Sequence, residues 1–172
     1  MTVILKIRSG KAFLEAKERR FAVKNKTKEW INTRTRETHD VDVGLEPQWL
    51  ESLNTFRHLI LRSVCEGHLN GERQFATKSM PILRIVVDSG INAKLSRSNP
   101  PIHIQIQAIF DADPLALTTD FWHSWSDVGD KEYCLFLDAK KDRSSDEMEP
   151  WVCDWFKDAI AFLGRVDAVL TK

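Results

Sequence analysis

Alternating apolar and charged residues predict a β-rich start of the chain. Over residues 3–8, apolar side chains alternate with Lys and Arg, which is typical of a strand with one solvated face. Three short β-prone pieces follow, separated by polar turns, around residues 21–23, 30–32 and 39–43. We therefore predict a basic β-meander within residues 1–45.

A first long helix is predicted over about residues 46–69. Glu46 and Pro47 suit its first turn, because proline is tolerated there and an acid complements the helix dipole. Apolar residues then recur at helical spacing, namely Trp49, Leu53, Phe56, Ile60 and Val64. This helix is expected to pack through one face.

Three or four strands are predicted after this helix. Residues 82–88 form an apolar, β-branched run that is typical of a central strand. Residues 101–110 alternate apolar with polar side chains, which predicts a strand with one solvated face. The polar segment 89–100 between them is predicted to be a loop. Residues 120–126 and 131–138 are predicted to pair as a hairpin.

A second long helix is predicted over residues 146–170. Acidic residues and Pro150 suit its start, and apolar side chains cover most of its circumference. We therefore expect it between the sheet and the first helix; a position partly at an interface is the alternative. The whole pattern predicts a single α+β domain over residues 1–172, in which a mostly antiparallel sheet and the two long helices follow the basic β-rich segment.

The composition agrees with one globular domain, since the 172 residues are 42% apolar and 29% charged. Residues 1–9 are too charged for a signal peptide, and no apolar run reaches membrane-spanning length. We therefore predict a cytoplasmic protein without a membrane partner. Cys65, Cys134 and Cys153 lack CxxC spacing, which predicts buried thiols rather than disulfides or a zinc site.

The charges are distributed unevenly along the chain. Residues 1–36 carry eleven basic and three acidic side chains (+8), residues 37–110 carry seven and eight (−1), and residues 111–172 carry seven and fourteen (−7). This polarity indicates either charged partners or two ends that neutralise each other within the fold, and the sequence leaves both open.

The common catalytic and nucleotide-binding motifs are missing from the sequence. It contains no GxSxG, GxGxxG, P-loop or HExxH pattern, and its five histidines show no metal-binding spacing. Serine hydrolase, zinc hydrolase and nucleotide-binding functions therefore have no positive support.

One pair of carboxylates suggests a metal-dependent nuclease. Asp138-Ala139-Lys140 follows an apolar strand, where a carboxylate can bind a hard divalent metal and the lysine can stabilise developing charge. The predicted hairpin sets Asp120 across from Asp138. This arrangement resembles the metal site of the PD-(D/E)xK nuclease superfamily, although Thr119-Asp120 stands where that family has Pro-Asp. The resemblance implies Mg²⁺ at Asp120 and Asp138 and a catalytic Lys140; turn chemistry at a strand end is the alternative for Asp138.

Residues 121–125, Phe-Trp-His-Ser-Trp, form the densest aromatic segment. As a strand they would carry bulky side chains on both faces, so both faces could not easily be solvated. We expect burial of this segment beneath the last helix; a partner pocket or a base-stacking platform is the alternative. His123 is expected to be a hydrogen-bonded structural residue.

The basic segment is a candidate nucleic-acid footprint. Clustered Lys and Arg contact phosphates, and an interleaved aromatic side chain can stack on a base. The residues concerned are Lys24, Lys26, Lys28, Trp30, Arg34 and Arg36. A solvated surface of β-turns is the alternative.

The charge polarity and the missing motifs favour a non-enzymatic interaction protein, of the inhibitor or immunity type, that needs no cofactor. Its partner would be another protein, contacted through aromatic anchors flanked by charges. The predicted contact residues are Trp122, Trp125, Asp146, Glu147, Glu149 and Trp151. A metal-dependent nuclease is the first alternative and a nucleic-acid-binding module is the second. The oligomeric state stays open.

Overall fold

The computed structural model describes residues 27–42, 44–67, 79–126, 132–145 and 147–172. Within these ranges the chain has an α+β fold, with six strands in two antiparallel sheets. The predicted fold class is thereby confirmed. The predicted strand at residues 3–8 and the β-prone piece at 21–23 lie outside the described residues.

The smaller sheet is a hairpin of β1 (Thr27–Ile31) and β2 (Thr38–Asp42). Asn32 shapes its turn, because the side-chain oxygen accepts hydrogen bonds from two backbone N–H groups at 3.0 and 3.2 Å. Trp30 and Val41 are buried and join the main hydrophobic core. Two of the predicted β-prone pieces are therefore confirmed as strands.

The larger sheet has four strands in the order β3-β4-β6-β5, and every neighbouring pair is antiparallel. The strands are β3 (Leu59–Cys65), β4 (Ile82–Val87), β5 (Thr119–Trp125) and β6 (Tyr133–Ala139). Five of the six residues of β4 are buried, since neighbouring strands flank it on both sides. The predicted central strand and the predicted hairpin of β5 with β6 are confirmed. Among the described strands, β5 forms one edge of this sheet.

Helices pack against one face of the larger sheet. They are α1 (Pro47–Thr55), α2 (Asn92–Arg97), α3 (Ile102–Asp111) and α4 (Pro150–Thr171). In α4, Phe156 stacks on Trp49 of α1 with ring centroids 5.2 Å apart. Phe162 of α4 meets Phe110 of α3 edge-on at 5.5 Å. The last helix therefore contacts the first helix and α3, and Phe162 also reaches Phe121 of β5 at 5.4 Å.

The predicted first helix was too long, because its second half is a strand. Leu59 and Leu61 are both buried, and residues two apart share a face of a strand but lie on nearly opposite sides of a helix. The chain turns after α1, where the Asp167 carboxylate of α4 accepts hydrogen bonds from the backbone N–H groups of Arg57 at 2.8 Å and His58 at 2.7 Å. This tertiary contact ends the helix at Thr55 and starts β3.

The predicted strand over residues 101–110 was wrong, since this segment is α3. Its alternating pattern also contains a four-residue spacing, and the side chains at that spacing, Ile102, Ile106 and Phe110, are the buried ones. Ile104, which a strand would bury with them, is 50% exposed. The preceding segment 89–100 is not all loop, because it contains a short 3₁₀ turn and α2.

The larger sheet therefore has a helix-covered face and an opposite face. Leu83, Ile85, Leu135 and Leu137 lie on the helix-covered face and are almost completely buried. The opposite face carries Arg84 and Phe136 on the central strands, and Asp120, Trp122 and Ser124 on β5. Polar and aromatic groups with partial exposure are thus concentrated on the side of the sheet away from the helices.

Candidate functional site

Two tryptophans on the edge strand are the largest exposed aromatic side chains of the described residues. Trp122 is 41% exposed and Trp125 is 40% exposed. Because strand side chains alternate, the two indoles point to opposite faces of β5. The expected burial of the aromatic segment beneath the last helix is therefore wrong for both of them. Phe121 alone meets that expectation, since its ring contacts Phe162 of α4 at 5.4 Å.

Trp122 is held in place by its neighbours on the opposite face. Its indole is stacked on the Phe136 ring, with centroids 5.2 Å apart and planes 4° apart. The Arg84 guanidinium carbon lies 5.3 Å from each of the two ring centroids, within cation–π distance. Arg84 also forms an ion pair with Asp138 at 2.5 Å and donates hydrogen bonds to two backbone carbonyls. These contacts hold the indole in one orientation.

Trp125 packs on the helix-covered face against Tyr133, which is hydrogen-bonded to His123. Its indole meets the Tyr133 ring edge-on at 5.2 Å. The Tyr133 hydroxyl lies 2.5 Å from Nδ1 of His123, and Nε2 of His123 lies 3.2 Å from Oε1 of Gln107 on α3. Both ring nitrogens of His123 are therefore hydrogen-bonded, as predicted.

Burial shifts the pKa values of Tyr133 and His123. It raises the pKa of the Tyr133 hydroxyl, which keeps that group protonated. The pKa of His123 is lowered from its ordinary value of 6.5, mainly by burial and to a smaller extent by the charge of the nearby His103. Both groups are therefore neutral at pH 7.

The carboxylates proposed for a nuclease are direct cross-strand neighbours, as the predicted hairpin requires. Asp120 pairs in register with Asp138 and is exposed, whereas Asp138 is only 3% exposed. Lys140, the third residue of the motif, does not contact these acids through this bond, because its Nζ donates a hydrogen bond to the carbonyl of Ala116 at 2.8 Å. The structure thus brings the two acids together and directs Lys140 to the backbone.

These residues fit a divalent metal only in part. Two neighbouring carboxylates are sufficient protein ligands for Mg²⁺ in many sites. However, the Arg84 guanidinium already neutralises Asp138. The described residues contain no group of three or more His, Cys, Asp or Glu side chains that could hold a metal ion.

The predicted contact residues before and at the start of α4 make their contacts with the segment that precedes this helix. Glu149 accepts hydrogen bonds from the backbone N–H and the hydroxyl of Ser144, both at 2.8 Å, and these bonds lower its pKa to about 2. Trp151 is half-buried beneath the Lys141 ammonium, which lies 4.8 Å from its ring centroid. Glu147 is exposed, and Asp146 lies outside the described residues. This surface is therefore less available than β5.

Within the basic segment, the proposed stacking residue is unavailable. Trp30 is 7% exposed and contacts the His39 ring at 5.6 Å, which corrects its assignment as a base-stacking residue. Lys28 donates a hydrogen bond to the Leu45 carbonyl, and Arg34 forms a 2.8 Å ion pair with Asp88.

Arg36 is exposed on the hairpin turn, where its φ is 58°. Lys24 and Lys26 lie outside the described residues. Among the four described members of the predicted footprint, Trp30 is therefore buried and Lys28 and Arg34 already bind groups within the fold.

Sequence reasoning missed the residues that support Trp122. Arg84 is a single charge inside the apolar run Ile82–Val87, and a lone charge in a central strand needs a partner. That signal could have pointed to Asp138, the only acid within its facing strand β6. No comparable signal identified Gln107, because its contact with His123 depends on α3 being a helix.

The comparisons with known proteins provide no homologue from which a function could be carried over. No protein-family model, no curated protein and no solved structure matches this chain. In the ranges that the structure describes, no helix is long and apolar enough to cross a membrane. The functional argument therefore depends on the geometry of the site.

Proposed function

We propose that this chain is a non-enzymatic interaction protein whose partner, another protein, docks along the outer edge of β5. One observation supports this most strongly: Trp122 and Trp125 are about equally exposed on opposite faces of the same edge strand. A partner that contacts both indoles has to approach from the strand edge, because an approach to either face reaches only one of them.

The fixed orientation of the indoles favours this function. Binding costs conformational freedom, and a side chain that is already ordered loses less of it. Trp122 is already stacked on Phe136 and Arg84, and Trp125 rests on Tyr133. Tryptophan and arginine are the residue types most enriched where protein interfaces concentrate their binding energy.

The edge position also suggests how the partner binds. An edge strand offers backbone N–H and C=O groups to an added strand, and pockets for alternate side chains then provide specificity. The exposed Asp120 carboxylate on the same strand favours a Lys or Arg in the partner. The proposed partner segment is therefore extended, with apolar side chains over the indoles and a cation near Asp120.

A photo-crosslinking residue in place of the exposed Ser124 tests the proposal, because it lies between the two indoles along β5. The captured protein is identified by mass spectrometry, purified and titrated calorimetrically against each variant. We expect Trp122→Ala and Trp125→Ala each to raise Kd about tenfold or more. Backbone amides of β5 should also become protected from hydrogen exchange in the complex.

Ile31→Ala is the matched control, because Ile31 is 58% exposed on the separate hairpin. It should leave Kd unchanged. Unchanged affinity in both tryptophan variants would contradict the proposal, and so would an unprotected β5 in the complex.

A second candidate function is a metal-dependent nuclease of the PD-(D/E)xK type. The direct pairing of Asp120 with Asp138 favours it. It ranks second because a metal would have to displace Arg84 from Asp138, and because Lys140 is bonded to the Ala116 carbonyl.

Calorimetric titration with Mg²⁺ and Mn²⁺, followed by incubation with plasmid DNA and RNA, separates the two functions. A nuclease requires metal binding and cleavage that disappear in Asp138→Ala and persist in Asp154→Ala, a variant of an exposed acid on α4. The absence of metal binding by the unmodified protein would exclude this candidate.

A further inference from the structure

A chain of four hydrogen-bonded side chains connects α3 with β5 and β6. The amide nitrogen of Gln107 donates to the Asp111 carboxylate at 2.7 Å. The amide oxygen of Gln107 lies 3.2 Å from Nε2 of His123, and Nδ1 of His123 lies 2.5 Å from the Tyr133 hydroxyl. The chain runs from an exposed acid on α3 to a buried phenol on β6.

With a neutral imidazole, one arrangement of protons satisfies every member of this chain. A carboxylate only accepts hydrogen bonds, so Gln107 donates its N–H to Asp111 and presents its oxygen to His123. Nε2 of His123 must then carry a proton and donate it to Gln107. Nδ1 is left as the acceptor for the Tyr133 hydroxyl, which burial keeps protonated. The neutral imidazole therefore carries its proton on Nε2.

The surroundings of His123 oppose a positive charge on the ring. On α3, the His103 ring lies 6.3 Å away, and Asp111 is reached only through Gln107. On β5, the Phe121 ring lies 5.5 Å away and carries no charge.

Among the residues that the structure describes, the other packed elements supply no counter-ion. The β6 neighbour is Tyr133, and α4 presents the apolar Phe162 to this region through Phe121. No carboxylate of the described ranges is hydrogen-bonded to the His123 ring, which agrees with the lowered pKa of this group.

We propose that the chain Asp111–Gln107–His123–Tyr133 is a proton-sensitive latch, which holds β5 against α3 at neutral pH and is released by acidification. When Nδ1 of His123 takes up a proton from solvent, it becomes a donor and the Tyr133 hydroxyl loses its acceptor. The new cation also lies beside His103. The latch is a property of the fold and does not depend on the proposed binding partner.

The direction of the pH effect follows from the lowered pKa. The folded state favours neutral His123, so its stabilising contribution is complete above pH 6.5, the value of an unperturbed histidine. That contribution is lost progressively as the pH falls below 6.5 towards the lower pKa of the folded protein.

Titration of the histidine ring carbons by NMR tests the latch in the unmodified protein. We expect a titration midpoint below 6.5 for His123. Tyr133→Phe should move this midpoint upward, because the neutral ring loses the hydrogen bond that it accepts. His103→Gln should also move it upward, because a neighbouring cation is removed. A midpoint at or above 6.5 in the unmodified protein would overturn the proposal.

Urea unfolding at pH 7.5 and pH 5.5 provides an independent measurement. The unmodified protein should lose more of its urea midpoint between these pH values than His123→Gln, whose amide does not titrate. Backbone amides of β5 should exchange faster at pH 5.5, after correction for intrinsic rates. Equal pH losses in the two proteins would contradict the latch; if His123→Gln does not fold, the NMR midpoints decide alone.

Discussion

The two faces of the four-stranded sheet are made by the same strands and differ in what stabilises them. On the helix-covered face, Leu83, Leu135 and Phe162 of α4 are completely buried among other apolar side chains. On the opposite face, Arg84 pairs with Asp138 at 2.5 Å, and Trp122 is stacked above the same guanidinium. The first face depends on the exclusion of water, and the second depends on the geometry of individual polar and aromatic pairs.

This difference separates stability from recognition. Apolar burial is non-directional, so the fully buried core of the helix-covered face stabilises the fold without orienting a contact residue. Ion pairs and stacked rings cost desolvation and contribute little net stability, but they fix side chains in one orientation. Trp122 is held on this opposite face and Trp125 on the helix-covered face, so the proposed partner surface lies at the edge of the sheet, where both indoles are partly exposed.

The largest expected effect comes from replacing one phenylalanine by alanine on each face of the sheet, which compares how tightly the two faces are packed. Phe162→Ala should lower the free energy of unfolding by about 3–5 kcal/mol, because it removes a completely buried ring and leaves a cavity. Phe136→Ala, on the half-buried opposite face, should cost about 1–2 kcal/mol. Urea unfolding monitored by circular dichroism measures both. Equal losses would mean that the two faces are packed alike.

A double-mutant cycle on Arg84 and Asp138 tests the directional character of the opposite face. Arg84→Met and Asp138→Asn should each cost about 2–3 kcal/mol, since each removes one member of a largely buried ion pair. The double variant should be more stable than the sum of the single losses predicts, by about 1–3 kcal/mol. Strict additivity in urea unfolding would indicate that the ion pair has no coupling energy.

The smallest expected effect concerns the start of α4, on which the helix-covered face depends. Hydrogen bonds from Ser144 lower the pKa of Glu149 to about 2, from an ordinary value of 4.5. Its stabilising contribution is therefore complete above pH 4.5 and is lost as the pH falls from 4.5 towards 2. In thermal unfolding between pH 2 and pH 5, Glu149→Gln should flatten part of this dependence. An identical pH profile in the variant would argue against the bonds to Ser144.

The hairpin of β5 and β6 could be predicted from sequence because its determinants are local. Two runs with strand patterns are separated by a short polar segment, which limits the possible registers, and the predicted opposition of Asp120 and Asp138 follows from that register. The pattern could not predict that Asp138 would be paired with Arg84. That contact joins segments more than fifty residues apart in the chain.

Residues 59–65 and 102–110 show where pattern alone fails. Both segments are apolar at every fourth position, a spacing that is compatible with a helix and with a strand. Contacts from elsewhere decided between them. Asp167 of α4 fixes the turn that ends α1, and the packing of Phe110 on Phe162 favours a helix over residues 102–111.

The sequence by itself determined the α+β class, the central strand at Ile82–Val87, the edge hairpin and the long last helix, because each has a strong periodicity of its own. Only the tertiary structure decided which tryptophans are exposed, which partner neutralises Asp138, and that His123 joins α3 to β6. These outcomes depend on which elements pack together, and a hydrophobic pattern records only that a residue is buried, not what covers it.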